Sequence, residues 1–295
     1  MTAHPTIRID PELLGSWPLP AADGDKSQRG TVLVVGGARQ TPGAVLLAAE
    51  AALRVGAGKV QVATARDTAG ALAVALPEAY VEGLPVTPAG ELSVSGAERV
   101  LELADAVDVV LIGPGLGNPS TANLFVSQVV PGLDTSVVVD ALGTAFLTDN
   151  LRGLSHLAGR AVLTPNATEL AVMLGRGEDE VEQDPLAACR DAADRTGASV
   201  LSGTGELHVA APDGRAWCCD SGPSALATAG SGDVKAGVVT GLMARGAPPE
   251  QAGAWGAWLH ARAGALLEQR GGGYLARDVV LAAAEVLQRL TPSGR

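Results

Sequence analysis

The sequence predicts an α/β fold with a mainly parallel central sheet flanked by helices on both faces. Three observations lead there. Short β-branched runs recur without the polar alternation of a half-exposed strand, as in strands buried on both faces. Each run ends at Gly, Pro or an acidic residue. Helical stretches lie between most of them, and strand–loop–helix order repeated this way gives a parallel sheet. In such sheets ligands bind beyond the C-terminal strand ends, so the residues there are the candidates for function.

Residues 1–28 are rich in Pro, Gly and Asp and are expected to form an irregular arm in front of a single domain spanning 1–295. TVLVV (31–35) is the first strand and ends at Gly36-Gly37. Pro42 opens an Ala/Leu-rich helix, since proline at the first helical position needs no N–H. Gly56 and Gly58 stop that helix before KVQVAT (59–64). VDVVLIG (107–113), SVVVD (136–140), AVLT (161–164) and ASVLS (198–202) continue the series. ELHVAA (206–211) and RAWCCD (215–220) flank Pro212-Asp213-Gly214, a hairpin signal. The C-terminal third is helical over about 232–245, 249–268 and 276–290.

The chain carries a formal net charge of −11 and only three lysines, Lys26, Lys59 and Lys235. Such a surface repels nucleic acid and anionic membrane. An anionic ligand would need local compensation, which backbone N–H groups at a helix N-terminus provide. The three cysteines, Cys189, Cys218 and Cys219, form no disulfide framework, which points to a reducing, cytoplasmic setting. The four histidines have no metal-ligand spacing with them, so no metal ligands are assigned. The N-terminus lacks a signal-peptide plan, and no apolar run is long enough to span a membrane.

Chemistry concentrates at Thr228-Ala229-Gly230-Ser231-Gly232-Asp233, just before a helix. Small residues let the backbone approach a ligand, successive N–H groups make an anion hole, and the helix dipole adds to it. Asp233 can take a proton from a substrate hydroxyl. An N-cap aspartate on an ordinary helix gives the same local pattern. His260, Trp255, Trp258, Met173 and Met243 read as packing residues, and Cys218 and Cys219 as thiols on opposite strand faces.

Arg29–Gly37, Gly43-Ala44 and Leu53–Gly58 together resemble the opening of the NAD(P)H-hydrate dehydratase family. So, in order, do Pro77-Glu78, Ile112–Gly117, Val139–Leu142, Leu163-Thr164-Pro165, the stretch around Asp233, His260, and Ala276-Arg277-Asp278. The resemblance implies a ribokinase-like fold and repair of hydrated NADH and NADPH (NADHX and NADPHX). It implies ADP (or ATP) as cosubstrate, with AMP and phosphate as products when ADP is used, Mg2+ as cofactor, and a tetramer. It makes Asp233 the catalytic base and the Gly230–Gly232 backbone the anion hole. Ala44, Gly115, Asn166 and Asp233 would meet the hydrated nicotinamide. Ser202, Gly203, Thr204, Gly205 and Glu206, with Ala229, Gly230, Ser231 and Gly232, would hold the nucleotide. A separate epimerase protein would convert the R-epimer.

The sequence departs from the family at several places. Thr164-Pro165-Asn166-Ala167-Thr168-Glu169 stands where the family has Thr-Pro-His-x-Gly-Glu; Asn166 can hydrogen-bond but carries no proton, and it is also a natural helix N-cap. Ser202-Gly203 replaces Lys-Gly, and Gly222-Pro223-Ser224-Ala225 falls where the family has Asn-Pro-Gly. Lys235 lies roughly 200° around the helix from Asp233 and is expected to face away from the phosphates. A small-molecule kinase of the same fold would share Asp233 and its anion hole. A nucleotide-binding module without turnover would explain the changes at 166 and 202.

Overall fold

Thr6–Arg8 forms a short strand (β1) and Pro11–Ser16 a helix (α1), so the arm expected to be irregular carries ordered elements. Asp10 caps that helix by accepting from the Leu13 N–H at 2.9 Å, with Pro11 at its start. The arm is pinned by burial of Ile9 and Leu14, by a Trp17–Trp217 stack, and by Arg245 donating to the Pro20 carbonyl. The computed structural model describes residues 4–21, 29–271 and 273–290; the remainder of the arm, 1–3 and 22–28, lies outside them.

From Thr31 the strands and helices alternate. They run β2 (Thr31–Val35), α2 (Pro42–Val55), β3 (Lys59–Ala65), α3 (Arg66–Ala75), β4 (Ala79–Leu84), α4 (Ala97–Ala104), β5 (Val109–Ile112), α5 (Pro119–Val129) and β6 (Ser136–Val139). Next come β7 (Ala161–Leu163), α6 (Ala167–Leu174), α7 (Glu178–Gln183), α8 (Pro185–Thr196) and β8 (Ser199–Ser202). The expected hairpin is β9 (Glu206–Ala210) and β10 (Ala216–Asp220), and the chain ends in α9 (Ser231–Ala244), α10 (Pro249–Gln269) and α11 (Ala276–Leu290). These three helices start and stop within one residue of the sequence expectation. Strand β4 and the 3-10 segments Ala141–Leu147 and Leu151–Leu157, which carry the chain from β6 to β7, were not foreseen.

One ten-stranded sheet results, ordered β1-β10-β9-β8-β7-β6-β5-β2-β3-β4. From β4 to β8 every neighbour is parallel; β8–β9 and β9–β10 are antiparallel. The chain leaves β2 for β3 and β4 on one side and returns to β5 on the other. That reversal opens a crevice at the C-terminal ends of β2 and β5, the usual ligand position in such a sheet. Alternate residues split into two cores: Val32 and Val34 pack with α2, α9, α10 and α11, and Leu33 and Val35 with α4, α5, α6 and α8.

Helix α9 lies directly on α2. A side chain at Gly237 would run into the Ala48 carbonyl, and one at Gly241 would meet the Ala52 oxygen at 2.5 Å. Gly237→Ala gains about 1 kcal/mol of helix propensity but overpacks against rigid backbone, at about 1–3 kcal/mol. The clash wins, and chemical denaturation should show a less stable protein. Gly70→Ala, in α3 with open space around it, should show the propensity gain alone.

Candidate active site

The site is built at the β2–β5 crevice. Gly37 donates to the Pro114 carbonyl (2.8 Å) and Ala38 to Gly115 (2.8 Å), so the two loops after β2 and β5 are laced together. Thr41 closes the lacing with its hydroxyl on the Gly115 carbonyl at 2.7 Å. Gly115 adopts φ +68°, and a Cβ there would sit 2.8 Å from that of Ala44. The structure thus brings Ala44 and Gly115 into contact, with backbone exposed where any larger residue would fill the crevice.

One turn along α2, Leu47 reaches the N-terminus of α9. A Cβ at Gly230 would meet Leu47 at 2.6 Å and the Asp233 Oδ2 at 3.9 Å. Gly230 caps the helix at φ +89°. The Ser231 N–H turns back onto the Thr228 carbonyl at 3.1 Å, whereas the next two amides, of Gly232 and Asp233, have no backbone acceptor among the described residues. The open donors of this helix start are therefore Gly232 and Asp233, with the helix dipole behind them. The Ser231 hydroxyl is held by the buried His260 Nε2 at 2.8 Å. Burial, then the Lys235 charge, depresses His260 to a pKa of about 3, so it is neutral and structural, as its apolar surroundings in the sequence suggest.

Two clefts flank the loop before α9. One, of about 550 Å³, lies between Gly43 and Leu47 on α2 and Thr228, Ala229 and Arg277. The other, of about 580 Å³, runs from Gly222-Pro223 to Trp258 and Arg262. Trp258 lies under the Arg262 guanidinium at 5.8 Å, and Trp255 donates to the Trp17 carbonyl, so both are packing residues. Cys219 is buried and Cys218 half-buried.

The 202–206 segment is the tight β8–β9 connection. Gly203 takes φ +131°, Glu206 N–H donates to Thr204 (2.9 Å), and Ser221 N–H donates to the Gly205 carbonyl (3.0 Å), which places the segment beside the loop leading to α9. The Glu206 carboxylate turns to Arg8 at 3.3 Å. Ser202 is 1% exposed, and its Oγ has no hydrogen-bond partner among the described residues. Asn166 caps α6: its side chain accepts from the Glu169 N–H (2.8 Å) while Glu169 accepts from the Asn166 N–H (2.9 Å), a reciprocal capping box. Its cap geometry occupies the carbonyl oxygen and leaves the amide NH2 at the surface.

Sequence reasoning gave no role to Asp140 and Glu169, which the fold gathers near Asp233. Asp140 follows β6, is 4% exposed, and accepts from the Thr164 hydroxyl at 2.7 Å. Burial pushes its pKa up to about 7; the Thr164 bond opposes this, and the Asp233 and Glu169 charges add to it. Burial, then the Glu169 charge, raises Asp233 to about 6. Glu169 is also raised by burial. The signals in the sequence were a strand ending at an acidic residue, for Asp140, and the place of both carboxyls in stretches that resemble the family.

Lys235 takes a direction that its helical angle from Asp233 did not specify. It does turn from Asp233, but inward: its charge lowers Asp140 and Glu169 and reaches Cys189 on α8. No three His, Cys, Asp or Glu side chains among the described residues converge on a point that could hold a metal.

The strand order and the crevice define the class, a ribokinase-like α/β protein. A ribokinase-like superfamily protein from Enterococcus faecalis V583 superposes with a TM-score of 0.81 at 23% identity, over 97% of this chain and 96% of its own. The Bacillus subtilis ADP/ATP-dependent NAD(P)H-hydrate dehydratase, crystallised with ATP/Mg2+, superposes at 0.78 with 25% identity, over 98% and 100%. The model of the NAD(P)H-hydrate dehydratase family matches residues 32–284. The ADP-dependent (S)-NAD(P)H-hydrate dehydratase of Xanthomonas campestris pv. campestris is 39% identical over the whole of both chains. That of Neisseria meningitidis serogroup B is 35% identical over 92% of this chain and 90% of its own. A bifunctional NAD(P)H-hydrate repair enzyme of Moorella thermoacetica is 40% identical over 82% of this chain, which spans 46% of that enzyme. This chain belongs to the NAD(P)H-hydrate dehydratase family.

The Asp140 environment has a measurable consequence. Its pKa of about 7 in the folded protein, against 3.8 for a free carboxyl, means that the native state binds more protons than the unfolded state between about pH 4 and pH 7. Stability must fall as pH rises through that window. Asp140→Asn keeps an acceptor for Thr164 and removes the charge. Thermal melts at pH 5 and pH 8 should show a smaller drop in the variant than in the wild type; equal drops would mean that Asp140 is ionised freely in the folded chain.

Proposed function

We propose that this protein dehydrates the S-epimer of NADHX and NADPHX at the expense of ADP, restoring NADH or NADPH and releasing AMP and phosphate. The observation that carries the reading is Asp233. It is half-buried at the start of α9, its pKa is pushed up to about 6, and it stands beside two open backbone donors. The identity to the Xanthomonas enzyme over the whole chain supports the same reaction.

Hydroxide is a poor leaving group, and phosphate a good one. Asp233 takes the proton of the ring hydroxyl as that oxygen attacks the terminal phosphorus of ADP, and the bond to AMP breaks. The ring nitrogen lone pair then expels phosphate, and loss of a proton from the neighbouring carbon restores the double bond. Negative charge on the moving phosphoryl group falls to the Gly232 and Asp233 amides, a matter of positioning and electrostatics. A carboxyl with a pKa near 6 is ionised at neutral pH yet basic enough to share the proton in flight.

The hydrated nicotinamide takes the crevice at Ala44 and Gly115 with the Asn166 amide in reach. The nucleotide takes the side bounded by 202–206 and Ala229–Gly232. Magnesium comes with the nucleotide, because it keeps phosphate and water ligands in preference to a protein cage, and the described residues offer no such cage. The reading also makes the protein a cytoplasmic tetramer served by a separate epimerase.

Purified protein mixed with hydrated NADH, magnesium and ADP should regain absorbance at the reduced-nicotinamide band, and ATP in place of ADP names the preferred donor. Asp233→Asn should lose at least roughly a hundredfold in rate, the scale of a general base, and still bind ADP. The wild-type rate should climb with pH through about 6, where Asp233 ionises. A variant that keeps its rate removes Asp233 from the chemistry.

A further inference from the structure

Lys235 lies in the first turns of α9, and a helical side chain leans toward the N-terminus of its helix. Its stem therefore runs toward the C-terminal edge of the sheet, where β6, β7 and β8 end. The groups that face it come from four elements. They are Asp140 after β6, Glu169 on α6, Cys189 on α8 and His260 on α10. Asp233, on the same helix, adds its charge to Asp140. The Asp233 and Glu169 charges thus both reach Asp140, with Lys235 as the cation acting on Asp140 and Glu169.

That cation is held without being matched. Lys235 is half-buried and makes no ion pair within 4.0 Å among the described residues. An ammonium that meets its carboxyls only beyond ion-pair distance and is not fully enclosed can take a further anion into its shell. Beside it, the thiol of Cys189 lies against the backbone of Ser202, whose own enclosed hydroxyl is also unpartnered. The Ser202 hydroxyl at the end of β8 is therefore incomplete in the free protein, and Lys235 near the start of α9 has no close ion pair among the described residues, both at the edge where the nucleotide is assigned. The chain has no lysine or arginine from 228 to 234. A diphosphate arriving among three carboxyls in a chain of net charge −11 needs a counter-charge from the side chains.

We propose that Lys235 is the phosphate-recognising cation of this site, presented from α9 and kept in place by Asp140 and Glu169 until a nucleoside diphosphate binds. It is a specificity residue for the polyphosphate part of the nucleotide, and the inference rests on the proposed reading that ADP occupies the loop before α9.

The test is calorimetric titration of the full chain with ADP, AMP and adenosine. Wild type should bind ADP; if it binds none, the nucleotide reading itself fails. With ADP binding in hand, Lys235→Met should weaken ADP by roughly tenfold or more, as expected for a lost charged hydrogen bond. AMP should weaken less, adenosine should be unchanged, and Lys235→Arg should stay close to wild type for ADP. Equal losses for all three ligands mean that the residue only supports the fold; no loss for any means that the amine never meets the phosphates. Either result overturns the assignment and leaves the proposed reaction standing. A measurement on wild type covers a variant that does not fold. With only three lysines in the chain, reductive 13C-methylation gives few signals, and Lys26→Arg and Lys59→Arg assign them. The Lys235 signal should move with ADP and stay still with adenosine; a signal indifferent to ADP overturns the proposal.

Discussion

Gly237 and Gly241 let α9 lie against the backbone of α2 at Ala48 and Ala52, and that close approach fixes where the N-terminus of α9 points. The rest of the site follows. With α9 pressed onto α2, Gly230 comes up against Leu47, one turn of α2 beyond the Ala44 that meets Gly115 at the crevice. The same constraint appears at the crevice itself. Any Cβ at Gly36 would strike the Pro114 carbonyl, and one at Gly113 the Asp140 carbonyl. Small residues are placed where backbone must meet backbone, so that three loops and one helix end share one point.

Crowding of backbone has an electrostatic cost that the site uses. Gathering strand ends and helix ends excludes water, and the carboxyls that sit there become harder to ionise. Asp140 is the most enclosed and moves to about 7, Asp233 is less enclosed and moves to about 6, and Glu169 rises in the same direction. Their order follows burial first and mutual repulsion second. A base that ionises below neutrality is thereby separated from a neighbour that still holds a proton near it. Lys235 limits how far Asp140 and Glu169 are driven toward the neutral form.

Most of the fold was legible because the parallel strands are buried on both faces and leave unbroken apolar runs, such as TVLVV and SVVV, while α10 and α11 begin at Pro249 and Ala276 as their patterns indicate. What was missed has no such run. β4 is an edge strand with Glu82 and Gly83 in it and Tyr80 half exposed, and β1 is a three-residue exposed strand that exists only by pairing with β10. The site divides in the same way. Asp233 and its glycines are contiguous and could be read as a local pattern. The meeting of Asp140, Glu169 and Lys235 is tertiary, made by residues far apart in the chain, and the inward direction of Lys235 depends on how α9 lies on the sheet rather than on its helical angle from Asp233.

The departures from the family pattern fall where the structure can absorb them. Asn166 is committed through its carbonyl oxygen to the cap of α6, a role that an asparagine fills well. On the proposed reading proton handling does not have to pass through position 166, because Asp233 and Asp140 stand with pKa values near 6 and 7 and the Asp233 charge reaches Asp140. Position 202 lies at the end of β8, shares a face with the buried Val200, and is enclosed to 1% exposure. A serine there costs little volume but leaves a hydroxyl unpartnered. On the proposed reading, Lys235 on α9 supplies the positive charge absent from that strand end. β8 ends and α9 begins at the same C-terminal edge of the sheet, so on the proposed reading a cation carried by either element would meet a ligand held there.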